Sequence, residues 1–168
     1  MKRLAGAVLL ILIAGCGQSS APERDSNPTP PDLESAAISA GLIVDPKASD
    51  IGGLFARDTD RICIAPAALD YRIGVFIDYG DAQYCSGAGK VTRTGETLQI
   101  AFEDAPGCSF AARYEGDRIV FPGSIPASCD RLCTRRASLG GLDVRRLSDS
   151  AAEARTLRGA RGRLLCAP

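Results

Sequence analysis

The sequence predicts a mainly β domain, a small antiparallel meander or barrel with short C-terminal helices and disulfide staples. Three observations carry this expectation. Apolar residues alternate with polar or small ones through much of the stretch between residues 51 and 126, the period of a half-buried strand. Short connections, most of them marked by glycine, separate the alternating runs, as in hairpins. Six cysteines follow Cys16, an even number that suits a disulfide framework in an exported chain.

In chain order, Met1-Lys2-Arg3 precedes an uncharged run of small and aliphatic residues from Leu4 to Ile13. About ten apolar residues cover roughly half of a bilayer's hydrocarbon core, too short to span it, so residues 1–15 read as a signal peptide. The segment Ile13-Ala14-Gly15-Cys16 resembles the lipobox of bacterial lipoproteins, in which an aliphatic and two small residues precede an invariant cysteine. The resemblance implies that Cys16 becomes the mature N-terminus, takes a diacylglyceryl group on its thiol and is acylated on its amine. Several acyl chains at about 0.8 kcal/mol per buried methylene make a stable anchor where one chain is marginal. Gly17 stands where an aspartate would signal inner-membrane retention, so the resemblance points to the outer membrane, with the domain facing the periplasm. The alternative is an ordinary secretory signal followed by a free buried cysteine.

Residues 16–50 then read as a lipidated cysteine and a tether. Pro22, Pro28, Pro30 and Pro31 stand among Ser, Asn, Gln and Thr, and no other apolar residue of 17–31 exceeds alanine. Such a segment buries too little surface to offset chain entropy. A short helix is expected next, with Asp32 as N-cap, Leu33, Ala37 and Ile38 on one side and Gly41 as the stop; the alternative is more linker.

Residues 51–168 are expected to form a single β-rich domain, a size that suits one core. In "YRIGVFIDYG" (71–80), Tyr71, Ile73, Val75, Ile77 and Tyr79 share one face, with Arg72, Gly74, Phe76 and Asp78 on the other. "TLQIAF" repeats the pattern with Leu98, Ile100 and Phe102, "CSFAARY" with Phe110, Ala112 and Tyr114, and "RIVF" with Ile119 and Phe121. "RICIA" around Cys63 and "GKVTRT" after Cys85 are further strands. Turn chemistry marks Tyr79-Gly80-Asp81, Thr94-Gly95-Glu96, Pro106-Gly107 and Glu115-Gly116-Asp117. After Pro126 the period changes. Ser128 is placed to cap a helix through Cys129, Leu132, Cys133 and Arg136. Ser150-Ala151-Ala152-Glu153 matches a capping box, and a last strand is expected at Arg163 to Cys166.

Cys63, Cys85, Cys108, Cys129, Cys133 and Cys166 permit many pairings. Cys85 and Cys108 flank an expected hairpin pair, and Cys166 is near enough to the end to tie the tail to Cys129 or Cys133. A metal or redox centre is the competing reading. Cys129 and Cys133 lack the spacing of a thioredoxin-like pair, and the chain contains no histidine.

Charge is balanced overall but unevenly placed. From Cys16 to Ser128 nine Lys/Arg face sixteen Asp/Glu, and from Cys129 onward nine arginines face four acids. A basic tail on an acidic body suggests contact with anionic headgroups, lipopolysaccharide or an acidic partner, or simply packing of the tail on the body.

Without histidine, Ser-His and Cys-His nucleophile schemes and His-ligated metals are excluded. A Ser-Lys pair would need Lys47 or Lys90. Ser86-Gly87-Ala88-Gly89-Lys90 lacks S-x-x-K spacing and fails as a phosphate-binding loop, with Tyr84 at the first glycine position and Val91 after the lysine; it reads as a glycine-rich turn. Asp58 with Asp60, Asp78 with Asp81, and Glu103 with Asp104 supply paired carboxylates, but the absence of tryptophan removes the best sugar-stacking surface. A calcium site at Asp78 and Asp81 lacks an EF-hand pattern. The acidic body and few aromatics argue against nucleic-acid binding.

The expectation is therefore a non-enzymatic envelope module with no cofactor, no metal and no catalytic residue, held to the membrane by its lipid anchor. Its partner would be an envelope protein or glycolipid, met through Tyr79, Asp81, Lys90, Arg135, Arg136, Arg145 and Arg146. The alternative is a hydrolase using carboxylates or a Ser-Lys pair. The architecture is similar to that of membrane-bound lysozyme inhibitors, small lipoproteins with a disulfide-containing β-barrel. Their S-x-x-G-x-x-Y loop is matched here by Ser86 and Gly89 but not by Thr92, so their function is not carried over.

Overall fold

The computed structural model describes residues 32–43 and 50–167. The expected signal peptide, Cys16 and proline-rich leash lie outside the described residues. Helix α1, Leu33–Ser39, is capped as the sequence suggests: the Asp32 carboxylate accepts the Ser35 N–H at 2.8 Å, and Gly41 takes φ +70°. The helix buries none of its residues.

The mainly β expectation holds, and the sheet closes on itself. Strands β1 (Gly53–Arg57), β2 (Asp60–Pro66), β3 (Tyr71–Asp78), β4 (Tyr84–Thr94), β5 (Thr97–Phe102), β6 (Ser109–Tyr114), β7 (Arg118–Val120) and β8 (Asp143–Ser148) form an antiparallel barrel. Each pairs with its neighbours in sequence, and β8 returns to β1 with a bulge at Leu54/Phe55. Closure gives each described strand a partner on both sides, so none is an edge strand.

Residues directly opposite one another share a face, so register defines the interior in rows. One row runs Phe55, Ile62, Val75, Gly87; the next runs Ile64, Ile73, Gly89, Phe102. A third holds Tyr71, Val91, Ile100 and Phe110. Burial confirms the predicted inward faces of "TLQIAF", "CSFAARY" and "RIVF" and, in "YRIGVFIDYG", of Ile73, Val75 and Ile77; Tyr71 is half-buried at the barrel mouth, and Tyr79, past the end of β3, is exposed. Phe110 stacks edge-on to Phe121 at 5.0 Å, so the interior is a packed core.

The two ends of the barrel are built differently. At the end where Asp50 and Ile51 enter, polar side chains cover the core. Tyr71 donates its hydroxyl to Asp50 Oδ1 (2.9 Å) and Tyr114 donates to the Asp50 carbonyl (3.0 Å). Arg146 donates to that carbonyl (2.8 Å), to the Gly52 carbonyl and to Tyr114 Oη (2.5 Å), with its guanidinium over the Phe55 ring. The far end is closed by the long β7–β8 connection. Its 3-10 helix, Ala127–Leu132, is pinned by Cys85–Cys133 and Cys108–Cys129. Leu132 fills the space that the missing side chain of Gly87 leaves.

The C-terminal quarter departs from expectation in three places. The helix predicted through Arg136 is only the 3-10 turn, and Cys133 is already extended, because its disulfide holds it beside Cys85 in an isolated bridge. Residues 143–148 form a strand that the alternation had not suggested, since Arg145 and Leu147 face outward while Arg146 reaches the barrel mouth. Arg163 to Cys166 is no strand; a single bridge joins Arg158 and Leu164. The N-cap half of the capping box forms: Ser150 Oγ accepts the Glu153 N–H at 3.2 Å and starts helix α2, Ala151–Ala154, while the Ser150 N–H goes to Ser148 Oγ at 3.1 Å and not to Glu153.

Beyond α2 the tail straps the outer wall. Ala154, Leu165 and Cys166 form a second core with Cys63, Ala65 and Ala88. Cys166 pairs with Cys63, not with Cys129 or Cys133. Leu165 occupies the outer face of Gly74, where any side chain would collide with it.

Candidate functional site

Inward side chains of β4 serve the core, which leaves Tyr84, Ser86, Ala88 and Lys90 on the outer wall. Near the far end, this wall, the exit of the 3-10 helix and the C-terminal loop enclose an open cleft of about 310 Å³. Tyr84 and Ser86 form its floor, Arg131 and Thr134 one side, Arg161 and Arg163 the other. Among the described residues that line it, three are arginine and none is acidic.

Each wall is fixed by local bonding. Thr134 Oγ1 accepts the Tyr84 N–H at 3.0 Å and donates to the Ala82 carbonyl at 2.8 Å. Ser86 Oγ accepts the Ala160 N–H at 3.1 Å. The C-terminal loop closes on itself, with Gly159 N–H bonded to the Arg163 carbonyl and Gly162 N–H to the Gly159 carbonyl. Arg158 braces it by donating to the Gly162 carbonyl at 2.8 Å.

The arginines differ in how they are compensated. Arg163 forms a two-point pair with Asp104, whose Oδ2 also accepts the Ala88 N–H at 2.7 Å. Arg131 rests on the carbonyls of Ser128 and Pro106. The side chain of Arg161 is exposed, has no ion-pair partner among the described residues, and sits on a backbone with φ +61°. Other arginines divide in the same way: Arg113 is matched to Glu115 at 2.6 Å, Arg118 to Asp143 at 2.5 Å and Arg145 to Asp117 at 3.2 Å, whereas Arg61, Arg155 and Arg158 rest on carbonyls.

No family model, curated protein or solved structure matches this chain.

Four of the seven surface residues singled out from sequence come together beside the cleft. Tyr79 donates its hydroxyl to the Ser138 carbonyl at 3.1 Å. That bond and the Thr134–Ala82 contact hold the β3–β4 turn, with exposed Asp81, against the segment bearing exposed Arg135 and Arg136. The other three lie apart. Lys90 is on the outer wall within 3.7 Å of Glu103, Arg145 is paired on β8, and Arg146 is committed to the barrel mouth. The expected glycine-rich turn at Ser86–Lys90 lies inside β4, where Gly87 and Gly89 face the core. Arg131, Arg161 and Arg163 carry no sequence signal beyond the basic tail, because their convergence depends on the tail's path. Among the described residues no three His, Cys, Asp or Glu side chains gather as a metal site; Asp78 instead accepts the Gly80 N–H at 2.9 Å within its turn.

The Arg163 guanidinium, then the Ala88 N–H, hold the Asp104 carboxyl below the usual carboxylate range. A carboxyl depressed in the folded state stabilises it above the ordinary carboxylate pKa, and that contribution is lost as pH falls through the depressed value. Both side chains are partly exposed, so it is worth up to about 1 kcal/mol. Asp104→Asn is expected to lower the melting temperature at pH 7, with the difference from the parent shrinking below about pH 4. Melting curves from pH 7 to pH 2 read it; a pH-independent difference would assign the loss to packing.

Proposed function

We propose that this chain is a non-enzymatic binding module of the cell envelope, anchored through a lipidated Cys16 and facing the periplasm, with the outer membrane as its site. The observation that carries the binding reading is the placement of the arginine-lined cleft. It lies towards the end of the barrel opposite the Asp50 entry, outside a core filled by apolar side chains. The chain from Cys16 joins the barrel at Asp50, so the cleft lies away from the point of attachment and is left open to a partner. The barrel's own chemistry then lies in its outer clefts and loops, which suits recognition of an envelope protein or glycolipid.

The test is fractionation of cells expressing the full chain or Cys16→Ser, followed by crosslinking in intact cells. The parent is expected in the membrane fraction with a crosslinked partner. Cys16→Ser should appear in the soluble periplasm or remain unprocessed. A variant that is cleaved normally and still sediments with membranes would overturn the anchor. Turnover of an envelope substrate that vanishes on replacing one carboxylate, Lys90 or a single serine would favour a hydrolase instead.

A further inference from the structure

We infer that the cleft between β4, the 3-10 helix and the C-terminal loop binds a phosphate group, with Arg131 and Arg161 as its principal charge partners. This names the ligand class for the binding-module reading and rests on it.

Three observations converge on the same atoms. First, the lining concentrates positive charge, with three arginines and no acidic residue among the described residues that form it. Asp104 offsets Arg163 from behind, leaving Arg131 and Arg161 with no carboxylate partner among the described residues. Guanidinium groups offer planar forks of N–H donors that match phosphate oxygens in pairs. Second, neutral donors complete the ring. Ser86 Oγ accepts the Ala160 N–H, and its own hydrogen has no acceptor among the described residues. Tyr84 adds a phenol at the floor. A single carboxylate fills one fork, while a phosphate has oxygens enough for two guanidinium groups and a hydroxyl. Third, the backbone at Arg161 is held in the left-handed region, with φ +61°, where a non-glycine side chain is strained. Gly159 and Gly162 stand on either side of it in the same loop. Arginine therefore stands in this loop at a cost that glycine would not incur, as do Asp58, Asp81, Ala82 and Arg135 at their own positive-φ positions.

The phosphate could belong to a lipid headgroup or to a small phosphate ester, and the experiment separates them. The purified full chain would be titrated calorimetrically with glycerol 3-phosphate, inorganic phosphate and sodium acetate at constant ionic strength. Sedimentation with phosphatidylglycerol or phosphatidylcholine vesicles completes the set. Binding of phosphate probes at least tenfold tighter than acetate is expected, with Arg131→Ala and Arg161→Ala each weakening it at least tenfold. Arg57→Ala, at an ion pair with Asp60 that does not line the cleft, leaves it unchanged. Arg161→Gly removes the guanidinium and relieves the backbone, so it is expected to raise the melting temperature while abolishing binding. Capture by phosphatidylglycerol vesicles alone assigns a lipid source, and capture of the soluble esters a small ligand. No phosphate binding, acetate binding of equal strength, or binding indifferent to both Arg131 and Arg161 would overturn the inference. Because the titration uses purified protein, its failure leaves the fractionation result standing, and the reverse also holds.

Discussion

Replacing Cys63 and Cys166 together by alanine is expected to lower the unfolding free energy by about 4–5 kcal/mol, the largest loss from any of the three bridges. The bridge spans 103 residues. Cross-links that close longer loops remove more chain entropy from the unfolded state, about 4.7 kcal/mol for a loop of roughly 100 residues. Cys85–Cys133 and Cys108–Cys129 close 48 and 21 residues, so the same reasoning gives each of them less, about 4 and about 3 kcal/mol. The 63–166 bridge also holds the tail over Gly74, Ala65 and Ala88. Its loss should therefore expose the second core and disperse the loop that carries Arg161. Urea unfolding reads the first effect, and limited proteolysis after Arg155 or Arg158 the second. Equal losses on removing each of the three bridges would refute the loop-length account.

Gly89→Ala is expected to cost at least about 3 kcal/mol, or to prevent folding, although it adds one methyl group. A Cβ built at Gly89 lies 2.1 Å from the Ala101 carbonyl oxygen and 2.7 Å from Phe102 Cα. Both are backbone atoms of the paired strand, so no rotamer change relieves the clash and the β4–β5 ladder must open. Gly89 thus marks where β5 crosses close over β4 as the sheet curls into a barrel. Gly123→Ala is the control: nothing lies within 4 Å of its Cβ position and its φ is not positive. It should shift the urea midpoint by no more than about 0.5 kcal/mol in equivalent energy. A Gly89→Ala protein as stable as the control would show that the close approach can relax.

Much of the barrel wall is legible in the sequence because its causes are local. Alternation at Tyr71–Asp78 and Thr97–Phe102 sets which side chains turn inward, and a two-residue turn with Gly95 at φ +61° joins β4 to β5. The Ser150–Glu153 cap and the Asp32 cap are equally local. Harder to read were β1, too short to establish a period before the turn at Asp58, and β8, where Arg146 occupies an inward position that a pattern assigns to an apolar residue. Arg146 is tolerated there because it snorkels to carbonyls at the barrel mouth while its guanidinium lies over Phe55. The glycines of Ser86–Lys90 misled for a related reason. In a flat sheet they would signal a turn; here they make room inside a strand for Leu132 and for β5.

Sequence by itself determined the inward faces of β3, β5 and β6, the glycine-marked hairpin turns, the Asp32 and Ser150 caps and the even cysteine count, since each is local; the Ser128 cap was not among them, because Pro126 starts the 3-10 helix. Only the tertiary structure decided closure of β8 on β1, the pairing of Cys63 with Cys166, and which arginines are neutralised. Those outcomes join residues that lie up to 103 positions apart, and their choice rests on the path of the tail across the barrel. Arg163 meets Asp104 and Arg161 meets no acid among the described residues, though both belong to one short basic run. The difference is the direction in which the strapped loop points them, and no local pattern encodes it.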